Sequence, residues 1–268
     1  MSVGVVYYPG SNCEQDAVHA ARLVGLEAGT VWHRDTDLSR YEALIIAGGF
    51  SYGDHLRAGA LARFSPVMGA MERYVADGGM VLGICNGFQV LVEAGLLPGA
   101  LMPNAGLKFR CQDLLMRVER NDLPYTRACA EGQVLRLNMA HYEGCFYVDE
   151  LTAQRLEKNG QIAMRFCGPR GERASRFNPN GSVNDIAAVS DESGRVMGLM
   201  PHPERCMEPA LGSDDGRYIF NSLREAIVAR RSISDEQPLA SAAGTGQASL
   251  AQQTQQVLQG EPEVALDV

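Results

Sequence analysis

The chain has 268 residues and a formal net charge of −8, with 46% hydrophobic and 21% charged residues. This length allows one large domain or two small ones, and the excess of acidic residues argues against a protein that mainly binds nucleic-acid phosphates. The first lysine or arginine is Arg22, so no basic segment precedes an apolar run as in a signal peptide, and no apolar run reaches membrane-spanning length. The seven cysteines include no Cys-x-x-Cys pair. We therefore expect a cytoplasmic protein with reduced thiols.

The first hundred residues alternate between short apolar runs, which predict strands, and helical patterns. The predicted strands are Val3–Tyr8, Ala28–Trp32, Ala43–Ala47 and Met80–Ile84, and the predicted helices are Glu14–Val24, Pro66–Asp77 and a segment that ends near Ala94. Strands that are apolar along their whole length are typical of parallel strands covered on both faces. The alternation predicts an α/β fold with a doubly wound, mostly parallel sheet flanked by helices.

The region from about residue 100 to 200 has a more mixed pattern, and we expect some of its strands to pair antiparallel. The predicted strands are Leu114–Val118, Gln133–Leu137, Ile162–Phe166, Ile186–Val189 and Arg195–Met200, with a turn at Asn180-Gly181. A closing amphipathic helix is predicted over Gly216–Arg230.

The composition changes near residue 232. Residues 232–268 contain seven glutamines but no aromatic residue, lysine or arginine. Such a segment buries too little apolar surface to offset the entropy of ordering. We expect residues 1–231 to form one domain and residues 232–268 to be a low-complexity, disordered tail, with a short helix around 250–258 as the alternative.

The motif Gly-x-Cys-x-Gly marks Cys85 as the candidate nucleophile. A predicted buried strand leads directly into Gly83-Ile84-Cys85-Asn86-Gly87, and a helical pattern follows. This order is typical of a nucleophile elbow, a sharp strand-to-helix turn that needs glycines beside the reactive residue. The first turn of a helix also favours the thiolate, which is the attacking form. For the motif alone, a buried structural cysteine is the alternative.

Two histidines, His141 and His202, are each followed two residues later by a glutamate and are candidate bases. Prolines follow Met200 and His202, and a residue before proline is driven out of the helical region. His202 is therefore expected to be extended, so that Glu204 projects to the same side and orients its imidazole. His141 lacks this framing, and we prefer His202. The other three, His19, His33 and His55, are expected to be structural, surface or loop residues.

A glycine-rich loop, Gly48–Asp54, follows the third predicted strand. Its glycines allow backbone N–H groups to turn toward a developing oxyanion, together with the N–H of Asn86 after the nucleophile. On its own such a loop is most often only a tight turn.

Together these motifs resemble the class I, or triad, glutamine amidotransferases. Longer motifs are similar to those of the glutaminase subunits of phosphoribosylformylglycinamidine synthases, which act in the fourth step of purine biosynthesis. These motifs are Gly48–Asp54, Leu56–Gly59, His141–Gly144, Asn178–Ser182 and Met200–Arg205. The resemblance covers about residues 2–230, and residues 232–268 have no counterpart in it.

The resemblance implies that the chain hydrolyses glutamine to glutamate and ammonia through a cysteinyl thioester. It assigns the catalytic roles to Cys85, His202 and Glu204. It also implies an oxyanion hole formed by the N–H of Asn86 with that of Gly49 or Phe50, and glutamine binding by Gln89.

The partners implied by the resemblance are an ATP-dependent synthase subunit and a small bridging subunit. ATP and magnesium are expected on the synthase, and no cofactor or metal is expected in this chain, whose sequence has no phosphate-binding loop motif. The length and Met1 favour the stand-alone form of the family. Two alternatives remain from the sequence. One is another cysteine hydrolase of the superfamily, such as a peptidase or a deglycase, and the other is a non-catalytic regulatory subunit.

Overall fold

The computed structural model describes residues 1–244, with side chains through residue 233. The chain divides into two compact units, Met1–Ile227 and Val228–Val268. The described part of the second unit is helical. Within the described residues, no helix combines the length and the apolar character that a membrane crossing requires.

The described residues form eleven strands and five α-helices. The strands are β1 (Ser2–Tyr7), β2 (Glu27–Trp32), β3 (Ala43–Ile46), β4 (Met80–Ile84), β5 (Ala100–Pro103), β6 (Arg110–Val118), β7 (Val134–His141), β8 (Glu143–Tyr147), β9 (Ile162–Cys167), β10 (Ile186–Ser190) and β11 (Val196–Leu199). The helices are α1 (Glu14–Leu23), α2 (Pro66–Ala76), α3 (Asn86–Glu93), α4 (Glu150–Lys158) and α5 (Gly216–Gly244).

Nine of these strands form one mixed sheet in the order β2-β1-β3-β4-β11-β10-β9-β6-β7, and β5 pairs with β8 separately. The α/β fold class predicted from the sequence is confirmed. The half of the sheet from β2 to β11 is parallel, and every pair from β11 to β7 is antiparallel. Between β10 and β11 the connection, residues 191–195, is too short for the crossover that a parallel pair needs, so these two strands pair antiparallel.

The strand order reverses between β1 and β3. Helix α1 connects β1 to β2 in one direction along the sheet, and α2 connects β3 to β4 in the other. Because such crossovers are right-handed, the two helices cover opposite faces of the sheet. Binding sites of open α/β sheets lie at the carboxyl ends of the strands near this reversal. The segments after β1, β3, β4 and β11 all meet at that edge.

Helix α5 differs from the sequence prediction at its carboxyl end. It begins at Gly216 as predicted but continues past Arg230 to Gly244. Residues 231–237 contain neither glycine nor proline, so this stretch has no helix-stopping residue. The remainder of the predicted tail, residues 245–268, including the alternative helix at 250–258, lies outside the described residues.

Candidate active site at the carboxyl edge of the sheet

Cys85 lies in the turn between β4 and α3 with φ 51° and ψ −104°, a strained conformation for a residue with a side chain. The glycines on either side make the turn possible. A Cβ atom at Gly87 would lie 2.2 Å from the carbonyl oxygen of Ile46, and one at Gly83 would lie 2.7 Å from the carbonyl oxygen of Gly87. The strand-to-helix elbow expected from the motif is therefore present, and it holds a buried thiol.

Backbone contacts connect the elbow to the neighbouring strand β11. The N–H of Cys85 donates to the carbonyl of Leu199 at 2.8 Å. Helix α3 approaches β11 closely, because a Cβ atom at Gly198 would lie 2.0 Å from the ring of Phe88. The thiol therefore has a fixed position relative to the segment that follows β11, which contains the predicted base.

His202 and Glu204 follow β11 and are joined by a hydrogen bond. His202 Nδ1 lies 2.5 Å from Glu204 Oε1, and both residues are at least 97% buried. His202 has φ −104° and ψ 86°, outside the helical region as its neighbouring prolines require. Its N–H donates to the carbonyl of Asn138 in β7 at 2.7 Å. The carboxylate thus fixes the ring orientation and leaves Nε2 for chemistry.

The charges around His202 favour its protonated form. Burial alone lowers the pKa of His202, but the negative charges of Glu204 and of the Cys85 thiolate outweigh burial and raise the pKa well above its ordinary value. No group in the described part of the chain forms a hydrogen bond with Nε2. An imidazolium beside a thiolate is the arrangement that activates cysteine nucleophiles.

The alternative base, His141, has a different environment. Both ring nitrogens of this buried residue are without a hydrogen-bond partner among the described residues. Burial, together with the positive charge of His202, lowers the pKa of His141 to about 3. Glu143 does not orient the ring, because its Oε2 accepts the N–H of Ala58 at 3.0 Å. His141 is therefore a neutral imidazole without the carboxylate partner that His202 has.

The remaining histidines lie in other surroundings. His19 forms an exposed contact with Glu208 at 2.9 Å. His33 is buried and its Nδ1 lies 3.2 Å from Ser65 Oγ, and His55 is exposed directly after the glycine-rich loop.

Of the three predicted oxyanion donors, the structure leaves two available. Gly49, with φ 135°, has an N–H that donates to no group in the described chain, and Asn86 is the first residue of α3, where N–H groups lack an acceptor within the helix. Phe50, the alternative donor to Gly49 in the glycine-rich loop, is not available. Its N–H donates to the carbonyl of Gly10 at 3.0 Å and is not free to bind an oxyanion.

Gln89 belongs to a chain of amide hydrogen bonds beside the elbow. Ser51 N–H donates to Asn86 Oδ1 at 3.1 Å, Asn86 Nδ2 donates to Gln89 Oε1 at 2.8 Å, and Gln89 Nε2 donates to the carbonyl of Glu143 at 2.5 Å. These bonds link the glycine-rich loop, helix α3 and strand β8. Gln89 is buried, and its role in binding glutamine stays a prediction.

Cys85 and His202 line one pocket with a volume of about 280 Å³. Its other lining residues are Asn12, Gly49, Phe50, Phe109, Cys111, Ala140 and Arg205. Ala140 contributes its carbonyl oxygen, which lies 3.8 Å from Cys85 Sγ. The pocket brings a nucleophile, an acid–base group and a free backbone donor to one small space.

Two further residues of this site, Cys13 and Arg205, were not among the site residues predicted from the sequence. Arg205 Nη2 donates to Cys13 Sγ at 2.9 Å, and the Cys13 sulfur contributes to the raised pKa of His202. Cys13 belongs to no motif used above. The signal that points to it is position, since it follows β1 at the edge where the strand order reverses.

Comparison with known proteins gives a consistent result. A family model described as "CobB/CobQ-like glutamine amidotransferase domain" matches residues 1–215. The chain is 52% identical over 224 residues to phosphoribosylformylglycinamidine synthase subunit PurQ of Moorella thermoacetica, which covers 83% of this chain and 95% of that protein. It is 53% identical over 221 residues to the PurQ subunit of Salinibacter ruber, with coverages of 82% and 94%.

A solved structure with the same fold is described as the structure of PurLQS from Thermotoga maritima. The matching chain superposes with a TM-score of 0.75 at 40% sequence identity and covers 84% of this chain and 97% of that one. The similarity therefore extends over nearly the whole length of the matching chain.

Proposed function

The chain belongs to the family of CobB/CobQ-like glutamine amidotransferase domains, and we propose that Cys85, His202 and Glu204 perform the chemistry of that family in it. Its function is that of the glutaminase subunit of phosphoribosylformylglycinamidine synthase, an enzyme that hydrolyses glutamine within a ligase complex. The peptidase, deglycase and regulatory-subunit alternatives lose their basis, because the PurQ similarity spans 95% of the Moorella subunit. The observation that best supports the residue assignment is the buried His202–Glu204 bond in the pocket that contains Cys85.

The first half-reaction forms a thioester. The thiolate of Cys85 attacks the side-chain amide carbon of glutamine, and a carbon–sulfur bond forms as the carbonyl electrons move to oxygen. The N–H groups of Gly49 and Asn86 stabilise that oxyanion. The imidazolium of His202 gives its Nε2 proton to the amide nitrogen, and the carbon–nitrogen bond breaks. Ammonia departs, and a γ-glutamyl thioester remains on Cys85.

The second half-reaction hydrolyses the thioester. Neutral His202 now takes a proton from a water molecule, and the resulting hydroxide attacks the thioester carbon. The carbon–sulfur bond breaks, which regenerates the Cys85 thiolate, and His202 is again an imidazolium. The new carboxylic acid group loses its proton to solvent, and glutamate leaves. Glu204 stabilises this charged form in both half-reactions and keeps the ring in one orientation, which is the function of the carboxylate in a catalytic triad.

The partners follow from the resemblance and from the names of the relatives. We propose that this chain delivers ammonia to an ATP-dependent synthase subunit and that a small bridging subunit joins the two. ATP and magnesium belong to the synthase in this proposal, and this chain itself needs no cofactor. A protected path is required, because ammonia released into water would become unreactive ammonium. All seven cysteines are free, which fits the reducing cytoplasm as the location.

The experiment that tests the proposal uses the assembled complex of this chain with its synthase and bridging subunits. Cys85→Ala should abolish synthesis with glutamine as nitrogen donor and leave synthesis with ammonium salts unchanged, because only the glutaminase step needs the thiol. Cys111→Ala, which removes an exposed thiol from the same pocket, is the matched control and should retain most of its glutamine-dependent activity. Glutamine-dependent synthesis by Cys85→Ala would show that another group is the nucleophile.

A further inference from the structure

Cys13 is a thiol beside the catalytic pair that the proposed reaction does not use. It is 1% exposed and precedes α1. Its Sγ atom lies within 4.8 Å of a ring nitrogen of His202 and of a carboxylate oxygen of Glu204. We propose that Cys13 is a positioning residue, which holds the imidazole of His202 in place while the thioester on Cys85 is hydrolysed. This inference rests on the proposed function.

The sulfur of Cys13 is itself fixed by two hydrogen bonds. The thiol donates its proton to Asn12 Oδ1 at 3.1 Å, and Sγ accepts Nη2 of Arg205 at 2.9 Å. A thiol has only one proton to donate, so its direction is set by the first bond, and the second bond holds the sulfur from another side. Arg205 ends the short turn that begins directly after His202. The two bonds therefore connect this turn to the start of α1 through Cys13.

Gly48 leaves the space in which the sulfur approaches the ring. A Cβ atom at Gly48 would lie 2.9 Å from His202 Cε1 and 3.3 Å from Cys13 Sγ, so the thiol and the imidazole face one position that carries no side chain. The N–H of Cys13 donates to the carbonyl of Gly48 at 3.3 Å and holds the backbone there. The imidazole is consequently bounded by Glu204 at Nδ1 and by Cys13 near Cε1.

The reaction changes the charge of Cys85 but not that of Cys13. Before thioester formation, the Cys85 thiolate attracts the imidazolium of His202 and helps to raise its pKa. After ammonia leaves, the Cys85 sulfur is bonded to carbon and His202 is neutral, so this attraction is lost. Cys13 neither gains nor loses a proton in either half-reaction, and its contact with the ring persists. The support from Cys13 therefore matters most when the neutral imidazole must activate water.

The test compares the two half-reactions in the assembled complex of this chain with its synthase and bridging subunits. Labelled glutamine is mixed with excess complex and quenched in acid at successive times, and the thioester and the released glutamate are measured. Cys13→Ala should hydrolyse the thioester about tenfold more slowly, because a misplaced catalytic group is costly. It should form the thioester at nearly the wild-type rate, so the thioester accumulates. Cys13→Ser keeps a donor for Asn12 and an acceptor for Arg205 and should restore hydrolysis.

Control variants separate this role from a general loss of stability. Cys111→Ala removes an exposed thiol of the pocket and Cys129→Ala removes a buried thiol outside it, and neither should accumulate the thioester. If Cys13→Ala does not fold, Arg205→Met, which removes the donor to Cys13 Sγ, should show the same accumulation. Equal slowing of both half-reactions, or wild-type kinetics, in the folded variant would overturn this role and leave the proposed function intact. Absence of a thioester on wild-type Cys85 would overturn both.

Discussion

Gly48 packs directly against His202, and a Cβ atom at Gly48 would lie 2.9 Å from Cε1 of the imidazole. Contacts this short do not occur for real Cβ atoms, so a side chain there would displace either the ring or the loop. The glycine-rich loop therefore does more than supply a backbone donor for an oxyanion. It also leaves the room in which His202 keeps its bond to Glu204.

Gly48→Ala should lower kcat for glutamine hydrolysis at least about tenfold, since a misplacement of even 1 Å at a catalytic group is costly. The fold should persist, and KM for glutamine should change less than kcat. Gly29→Ala is the matched control, because a Cβ atom at Gly29 meets no atom within 4 Å. Equal kcat values for the two variants would show that the contact between Gly48 and His202 is not important for the reaction.

Glu204→Gln should lower kcat by about 10²-fold or more, within the range expected for general acid–base catalysis. The amide keeps the size of the side chain but removes the charge that raises the pKa of His202. In the pH profile of kcat, the limb that reports the titration of His202 should consequently move to lower pH. Glu208→Gln, which alters an exposed glutamate bonded to His19, should retain wild-type kinetics.

His202→Gln should slow thioester formation far more than His141→Gln does. His202 has a carboxylate partner and lines the pocket with Cys85, whereas His141 has no hydrogen-bond partner in the described chain and a pKa of about 3. Rapid quenching after mixing with glutamine measures the rate of thioester formation. A larger defect in His141→Gln would identify His141 as the base.

Asp54→Asn should stabilise the protein at neutral pH. Burial first, and then the charge of Glu143, raise the pKa of Asp54 from 3.8 to about 6. Between pH 4 and 6 the folded state therefore holds more protons than the unfolded state, so stability falls as the pH rises through this range. Because Asp54 is only half buried, we expect a gain of about 1 kcal/mol after allowance for solvent screening.

Asparagine suits this position, because Asp54 has φ 53° and asparagine tolerates the left-handed region. Urea unfolding at neutral pH and below pH 4 measures the effect, and the gain should vanish at the lower pH. Asp37→Asn is expected to act in the opposite sense, since hydrogen bonds from Ser39 lower the pKa of Asp37. A gain for Asp54→Asn that does not depend on pH would contradict this electrostatic explanation.

The positions of Cys85 and His202 could be predicted from the sequence, because proline and glycine restrict the backbone locally. Two prolines keep His202 out of the helical region, and two glycines form the tight elbow of Cys85. Strands β3 and β4 could be predicted because they consist of hydrophobic or glycine residues along their whole length. All four residues of β3 and all five of β4 are buried.

Features that depend on distant contacts could not be predicted in this way. The N–H of Phe50 is occupied by Gly10, a residue 40 positions earlier, and only the fold brings the two together. Cys13 reaches His202 because β1 and β11 end at the same edge of the sheet. Tyr52, Asp54 and Leu56 have positive φ angles, which their residue types alone do not predict. Sequence motifs identified the chemistry, while these details required the tertiary structure.

The most direct test of the proposed mechanism is to detect the glutamyl group on the sulfur of Cys85. The assembled complex is mixed with isotopically labelled glutamine, quenched in acid during turnover, digested, and analysed by mass spectrometry. The account predicts a glutamyl thioester on the peptide that contains Cys85 and none on the peptides that contain Cys13 or Cys111. Glutamate release without a label on Cys85, or a label on one of the other thiols, would contradict it.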